Sequence, residues 1–188
     1  MDRRTLRLGL FIVPPLLLLG VLAWAAWLQG GPEPTNVTIY EGNLPVAVGT
    51  SSQALEAVAE RAGFEPIVPR RFPFGGLSLV GARAVLPPDV VAGAERTQLI
   101  FSGPETEGSF VLIAQSQVSW GSDLAAARRV DIGVDAIEAF ALQPADSLGP
   151  QFWLRTDGTY ISVLVGAPGP LSDADVLPML RSIAGQMR

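Results

Sequence analysis

Three residue types that often carry reactions are missing from this 188-residue chain, which contains no cysteine, no histidine and no lysine. Without cysteine there can be no disulfide, no thiolate nucleophile and no cysteine-ligated metal. Without histidine the chain lacks the commonest general base and metal ligand. Without lysine, Schiff-base chemistry is excluded as well. Catalysis would have to rely on carboxylates, and nothing in the sequence marks a carboxylate pair. We therefore expect no enzyme, no catalytic residue and no cofactor.

Charge is also scarce, at 16% of residues against 48% hydrophobic ones, and one long run near the N-terminus has none. The segment Leu8–Leu28 is uncharged, and a helix of about 20 residues spans the ~30 Å hydrocarbon core of a membrane. Three arginines precede this run and are expected to stay in the cytoplasm, because positive charge is retained on that side: Arg3, Arg4 and Arg7. The sequence thus predicts a single membrane span with the N-terminus inside.

Residues at the C-terminal end of this run indicate whether the anchor is retained or cleaved. Trp24 and Trp27 lie there, and their indole rings favour the membrane interface. The pattern Ala23-Trp24-Ala25 also resembles a signal-peptidase site, so cleavage after Ala25 is the alternative. Because the run is longer than a usual signal-peptide core, we predict that residues 1–28 form a cytoplasmic stub and a retained anchor. Both alternatives place the remaining chain outside the cytoplasm.

The remaining chain divides into a linker and one domain. Residues 29–36, QGGPEPTN, are rich in proline and glycine and are predicted to be the linker. Residues 37–188 are predicted to be an extracytoplasmic domain, long enough for a core of its own. From Gly31 onward, ten arginines and seventeen acidic residues give a net charge of −7. This excess of acid argues against nucleic acid as a partner and against anionic lipid headgroups binding this domain.

Most of the domain has the pattern of short strands joined by turns. The Asp157-Gly158 pair predicts a tight hairpin, because both residues tolerate a positive φ. A second hairpin is expected around 104–108. The predicted strands cover 37–40, 77–86, 96–103, 108–120, 130–142 (as one strand or as two broken near Gly133), 152–154 and 160–165.

Two segments have the periodicity of amphipathic helices. In the first, Thr50 and Gln53 form a capping-box pattern and Gly63 is expected to end the helix. Its buried face is predicted to hold Leu55, Val58, Ala59 and Ala62. In the second, Ser172 caps an apolar stripe made of Val176, Leu180, Ile183, Ala184 and Met187. Pro178 leaves two alternatives, a helix that starts near this proline or one that kinks there.

These elements predict an α+β fold in which an N-terminal transmembrane helix is followed by an antiparallel sheet, covered on one face by the two amphipathic helices. The segment 64–76 contains three prolines and is expected to cross the domain in an extended form. Phe64 and Ile67 are expected to point inward from it.

Two stretches of the sequence resemble a bacterial domain family of unknown function. The first is ALEAVAERAGFEPIVPRRFP, residues 54–73, and the second is FWLRTDGTYISVLVG with LSDADVLPMLRSI, residues 152–166 and 171–183. Members occur on the outer side of anti-sigma-factor-like, single-span membrane proteins and are distantly similar to lipoprotein-carrier and sigma-regulator folds. The resemblance covers most of 50–187 and is weakest over 86–130. It implies a bacterial cell-membrane location and no catalytic residues. Only seven residues precede the predicted span, so we do not expect anti-sigma activity.

Two places stand out as candidate partner contacts. Arg70, Arg71, Phe72 and Phe74 combine arginine with aromatic rings, a composition enriched at interface hot spots. The alternative is that the phenylalanines fill the core and the arginines are solvated. Trp120 is expected in a loop, either exposed to a partner or folded over the sheet edge.

We expect a membrane-anchored, non-enzymatic interaction domain that acts as an accessory subunit or sensor by binding another protein. The alternative is a carrier that holds a lipid or other apolar ligand between sheet and helices. An enzyme with two facing carboxylates ranks last. A metal site is not expected, because the acidic residues lack the spacing of a calcium loop: Asp123, Asp131, Asp135 and Glu138.

Overall fold

Nine strands and two helices make up the part of the chain that the computed structural model describes, residues 36–103, 108–119, 124, 127–142 and 149–187. The strands are β1 Val37–Glu41, β2 Leu44–Gly49, β3 Ser78–Val85, β4 Arg96–Ser102, β5 Phe110–Ser116, β6 Arg128–Val130, β7 Glu138–Leu142, β8 Gln151–Thr156 and β9 Thr159–Gly166. The helices are α1 Ser51–Ala62 and α2 Asp173–Ala184. All nine strands join one sheet in the order β2-β1-β3-β4-β5-β9-β8-β7-β6. The predicted α+β class is confirmed.

The sheet is mixed, whereas the sequence predicted an antiparallel one. Strands β1 and β3 run parallel, with Thr38 opposite Gly81 and Tyr40 opposite Arg83. Every other neighbouring pair is antiparallel. The parallel pair arises because β2 and α1 lie between β1 and β3 in the chain, so that β3 enters the sheet in the direction of β1. A crossover of this kind is what parallel neighbours require.

The predicted hairpin around Asp157-Gly158 is confirmed. Strands β8 and β9 pair up to Thr156 and Thr159, and Gly158 has a φ of +89°. Strands β4 and β5 also pair antiparallel, as expected, although residues 104–107 of their connection lie outside the described residues. The segment 130–142 is broken at Gly133, as in the second alternative, but the break covers 131–137, so that β6 ends at Val130 and only β7 lies fully within the segment.

One face of the sheet and both helices share a single buried cluster. Across the sheet this face presents rows such as Leu99, Ile113, Val163 and Phe152, which lie opposite one another on four successive strands. Helix α2 adds Val176, Leu180, Ile183 and Ala184 of the predicted stripe together with Met179, whereas Met187 joins the cluster from beyond the end of the helix. Helix α1 adds Ala54, Val58 and Ala62, whereas the predicted Leu55 and Ala59 are only partly buried. Phe64 and Ile67 pack against this cluster from the crossing segment, as expected.

The predicted cap of α1 is confirmed. The Thr50 backbone N–H donates to Gln53 Oε1 at 2.9 Å, and the Gln53 N–H donates to Thr50 Oγ1 at 3.3 Å. Gly63 ends the helix with a φ of +78°. These two hydrogen bonds satisfy donors that the first helical turn cannot pair internally.

Helix α2 begins at Asp173 and continues through Pro178, so the alternative of a start near this proline is wrong. The start is set by the Asp175 carboxylate, whose Oδ2 accepts from the Ser172 N–H at 2.9 Å and from Ser172 Oγ at 2.6 Å. Side chains that satisfy the first turn stabilise a helix start upstream of the proline.

Ser172→Ala should raise the pKa of Asp175. Hydrogen bonds from the Ser172 hydroxyl and backbone hold the pKa of this carboxyl below its ordinary value, and the substitution removes the first of them. Because the folded-state pKa is depressed, the stabilising contribution is complete at neutral pH and is lost as the pH falls through the folded-state pKa. Carboxyl chemical shifts followed by NMR through an acid titration measure this midpoint. An unchanged midpoint in Ser172→Ala would contradict the assignment.

The predicted anchor, with Arg3, Arg4, Arg7, Trp24 and Trp27, lies outside the described residues. Within the described part of the chain, neither helix is long and apolar enough to cross a membrane. Residues 1–28 as an anchor therefore stay a prediction.

Candidate functional site

The four predicted contact residues of the crossing segment divide by burial. Phe72 and Phe74 are partly buried and pack against the core cluster, and the Phe72 ring centroid lies 4.8 Å from that of Phe101. Arg70 and Arg71 are exposed. This arrangement matches the alternative in which the rings fill the core and the arginines are solvated. The other predicted contact, Trp120, lies outside the described residues.

Exposed apolar side chains concentrate on one strand instead. Among the described residues, five large hydrophobic side chains are exposed, and three of them belong to β2: Leu44 at 71%, Val46 at 48% and Val48 at 64%. The intervening residues Pro45 and Ala47 are exposed too. Single exposed apolar residues are normal on a protein surface, but a contiguous set marks an interaction site. We call Leu44–Gly49 the β2 edge.

Strand β2 lies at one end of the described sheet, so only one of its two sides is paired with another described strand. Its partner is β1, with Thr38 opposite Val48 and Ile39 opposite Ala47. The register shifts beyond this point, so that Tyr40 faces Pro45. An edge strand presents backbone N–H and C=O groups that a further strand can pair with. The C-terminal half of β2, residues 47–49, pairs regularly with β1. In the N-terminal half, Pro45 has no backbone N–H to donate.

The edge strand at the opposite end of the described sheet is shorter than β2 and carries charge. Strand β6 has only three residues, and two of them are arginines. Arg128 is paired with Asp173 at 2.7 Å, and Arg129 lies 3.9 Å from Glu138. Short length and charged side chains keep edge strands from pairing, and so do proline and bulges, which in β2 are confined to its first half at Pro45 and the register shift. The β2 edge is twice as long and carries no charge.

Contacts at both ends of β2 hold it in place. At the β1–β2 turn, Arg83 Nη1 donates to the Gly42 carbonyl at 3.2 Å and to Asn43 Oδ1 at 2.9 Å, while its Nε donates to Gln98 Oε1. Burial lowers the pKa of Arg83, with nearby Asp89 acting in the opposite direction. At the other end, β2 runs directly into the capping box of α1. The edge is therefore presented in a fixed shape, which reduces the entropy that a partner would have to order.

Sequence reasoning missed β2 altogether. The signal was the Gly42-Asn43 pair between VTIYE and LPVAVG, since two such residues between β-type runs indicate a hairpin. Pro45 and the lack of apolar-polar alternation concealed the strand. Alternation reports a half-buried strand, and β2 is exposed on both faces.

The concave surfaces are weaker candidates for a binding site than the β2 edge. A cleft of about 40 Å³ lined by Trp153, Tyr160 and Phe140 has room for only a few water molecules. A wider depression of about 500 Å³ is walled by the single run 129–137 rather than by converging elements. In the described part of the chain, no three acidic side chains come close enough to hold a metal ion.

Comparison with protein-family models, with curated proteins and with solved structures finds no match for this chain. The resemblance to the extracytoplasmic bacterial family therefore stays a prediction. The fold and the exposed β2 edge are the basis for a functional proposal.

Proposed function

We propose that this protein is a membrane-anchored, non-enzymatic domain on the outer side of a bacterial cell membrane, and that it binds a protein partner as an accessory subunit or sensor. The observation that supports the proposal is the β2 edge, where Leu44, Val46 and Val48 are exposed on an edge strand of the described sheet that carries no charge. Adding a strand to an open edge is a recurring mode of protein recognition. The arginines and tryptophans around residues 8–28 support the anchor.

The packing beneath the helices favours this function over the carrier alternative. A carrier needs an apolar cavity between sheet and helices, whereas the side chains there are closely packed. Leu99, Ile113, Met179, Leu180 and Ile183 are all at most 1% exposed and belong to one cluster. Close packing of this kind leaves no room for a lipid chain without a rearrangement of the core.

A photo-crosslinking side chain placed at Val46 in the full chain, within native membranes, tests the proposal. We expect a covalent adduct of one defined mass from this position, because the partner would cover it. The matched control is the same side chain at Val118, which is 38% exposed and lies outside the edge. Val46→Lys should lower the yield of the non-covalent complex by about tenfold or more, because it places an unpaired charge in an apolar contact. The absence of any adduct at Val46, or identical adducts at both positions, would refute the proposal.

A further inference from the structure

We propose that the β2 edge pairs with the β2 edge of a second copy of this chain, antiparallel across a two-fold axis. The inference rests on the proposed function, since it names the partner at the same edge. The two sheets would then form one continuous sheet through their uncharged edges.

The chemistry of the edge fits a second β2 strand. On the side away from β1, its backbone groups have no described strand to pair with, so another strand can add there. Its side chains on both faces are apolar. There is no charged residue between Glu41 and Glu56. Two copies can therefore meet at this edge without directly opposed like charges, although each domain is strongly acidic as a whole. Like charges opposite one another on neighbouring strands would destabilise such a pair.

The structure also restricts the register of this pairing. Pro45 and the adjacent shift against β1 disrupt the first half of β2. The extended backbone continues past Gly49 into Thr50, whose φ and ψ are −71° and 164°. A two-fold axis at Val48 uses only this regular part. It places Val48 of one copy opposite Val48 of the other, and Ala47 opposite Gly49.

The expected dimer is weak in solution. A strand of six residues is about 20 Å long, so one edge-to-edge contact falls short of the ~1,200 Å² that stable interfaces bury. Closed two-fold dimers are nevertheless the commonest assemblies of identical chains. Anchoring in one membrane would raise the effective concentration of copies relative to each other. The dimer is therefore expected with the full chain in membranes.

Single cysteine substitutions test the register directly, because the chain has no cysteine of its own. Val48→Cys in the full chain, oxidised in native membranes, should give a disulfide-linked dimer. Ala47→Cys should not, because its counterpart lies two residues out of register, beyond the Cα separation of about 4.4–6.8 Å that a disulfide allows. Val91→Cys controls for random collision, since Val91 is 79% exposed and more accessible than Val48. We expect about tenfold more linked dimer from Val48→Cys than from either of the others.

A second variant tests whether the disulfide depends on pairing of the two β2 strands or only on the reactivity of the introduced cysteine. Val46→Lys added to Val48→Cys should abolish the linkage, because a lysine on the edge blocks strand addition. Linkage from Val48→Cys no greater than from Val91→Cys would overturn the second-copy inference. In that case, a different protein trapped at Val46 by photo-crosslinking leaves the proposed function intact, whereas no adduct at all overturns both.

Discussion

Gly149→Ala should destabilise the domain by about 3 kcal/mol, at the upper end of what overpacking costs. A methyl group at this position would lie 1.9 Å from the Val165 carbonyl oxygen and 3.0 Å from its carbonyl carbon. Val165 cannot move aside easily. It is fully buried, lies opposite Val111 in β5, and its N–H donates to the Pro150 carbonyl at 3.1 Å. The free energy of unfolding of the full chain in mild detergent, from urea titrations followed by circular dichroism, measures the effect.

Two other glycines provide graded controls for this prediction. A methyl group at Gly169 would have no other atom within 4 Å. Gly169→Ala should therefore change the free energy of unfolding by less than about 0.5 kcal/mol. At Gly166, a methyl group would lie 2.0 Å from Cε1 of the Phe110 ring. That ring is a side chain of intermediate exposure, so it can rotate, and we expect an intermediate cost of about 1–2 kcal/mol. A cost at Gly149 no larger than at Gly169 would contradict the close backbone approach.

Leu180→Ala should cost about 3–4 kcal/mol, because it leaves a cavity in the shared core. Leu180 is 1% exposed and belongs to the cluster formed by α2 and the inner face of the sheet. The same unfolding measurement applies. The matched control is Leu177→Ala in the same helix, since Leu177 is only partly buried against the cluster. We expect that substitution to cost about 1–2 kcal/mol. Equal losses at the two positions would show that α2 does not present Leu180 to the core as described.

The elements that the sequence predicted correctly depend on residues close together in the chain. The Asp157-Gly158 hairpin depends on two turn residues, and the start of α1 depends on Thr50 and Gln53. The stripe of α2 depends on apolar residues three and four positions apart. Each has a local physical signal, because turn geometry, capping and helical periodicity are set within a few residues.

The candidate site was not predicted, because its exposure depends on where β2 lies in the sheet rather than on the residues of β2. The stretch LPVAVG has no residue with reactive chemistry. The same valines in a central strand would be ordinary core residues. They become a candidate contact only because β2 is the last strand of the described sheet, with no described strand on its outer side. The aromatic residues that looked more promising, Phe72 and Phe74, pack against the core instead.

By itself, the sequence determined the α+β class, the Asp157-Gly158 turn, the cap of α1 and the apolar stripe of α2, since these follow from neighbouring residues. The tertiary structure decided the parallel pairing of β1 with β3, the position of β2 at an open edge and the protection of the opposite edge by β6. The physical reason is that strand order depends on which segments, far apart in the chain, form the most favourable backbone pairings. Those pairings use the same N–H and C=O groups in every residue and leave little trace in side-chain pattern.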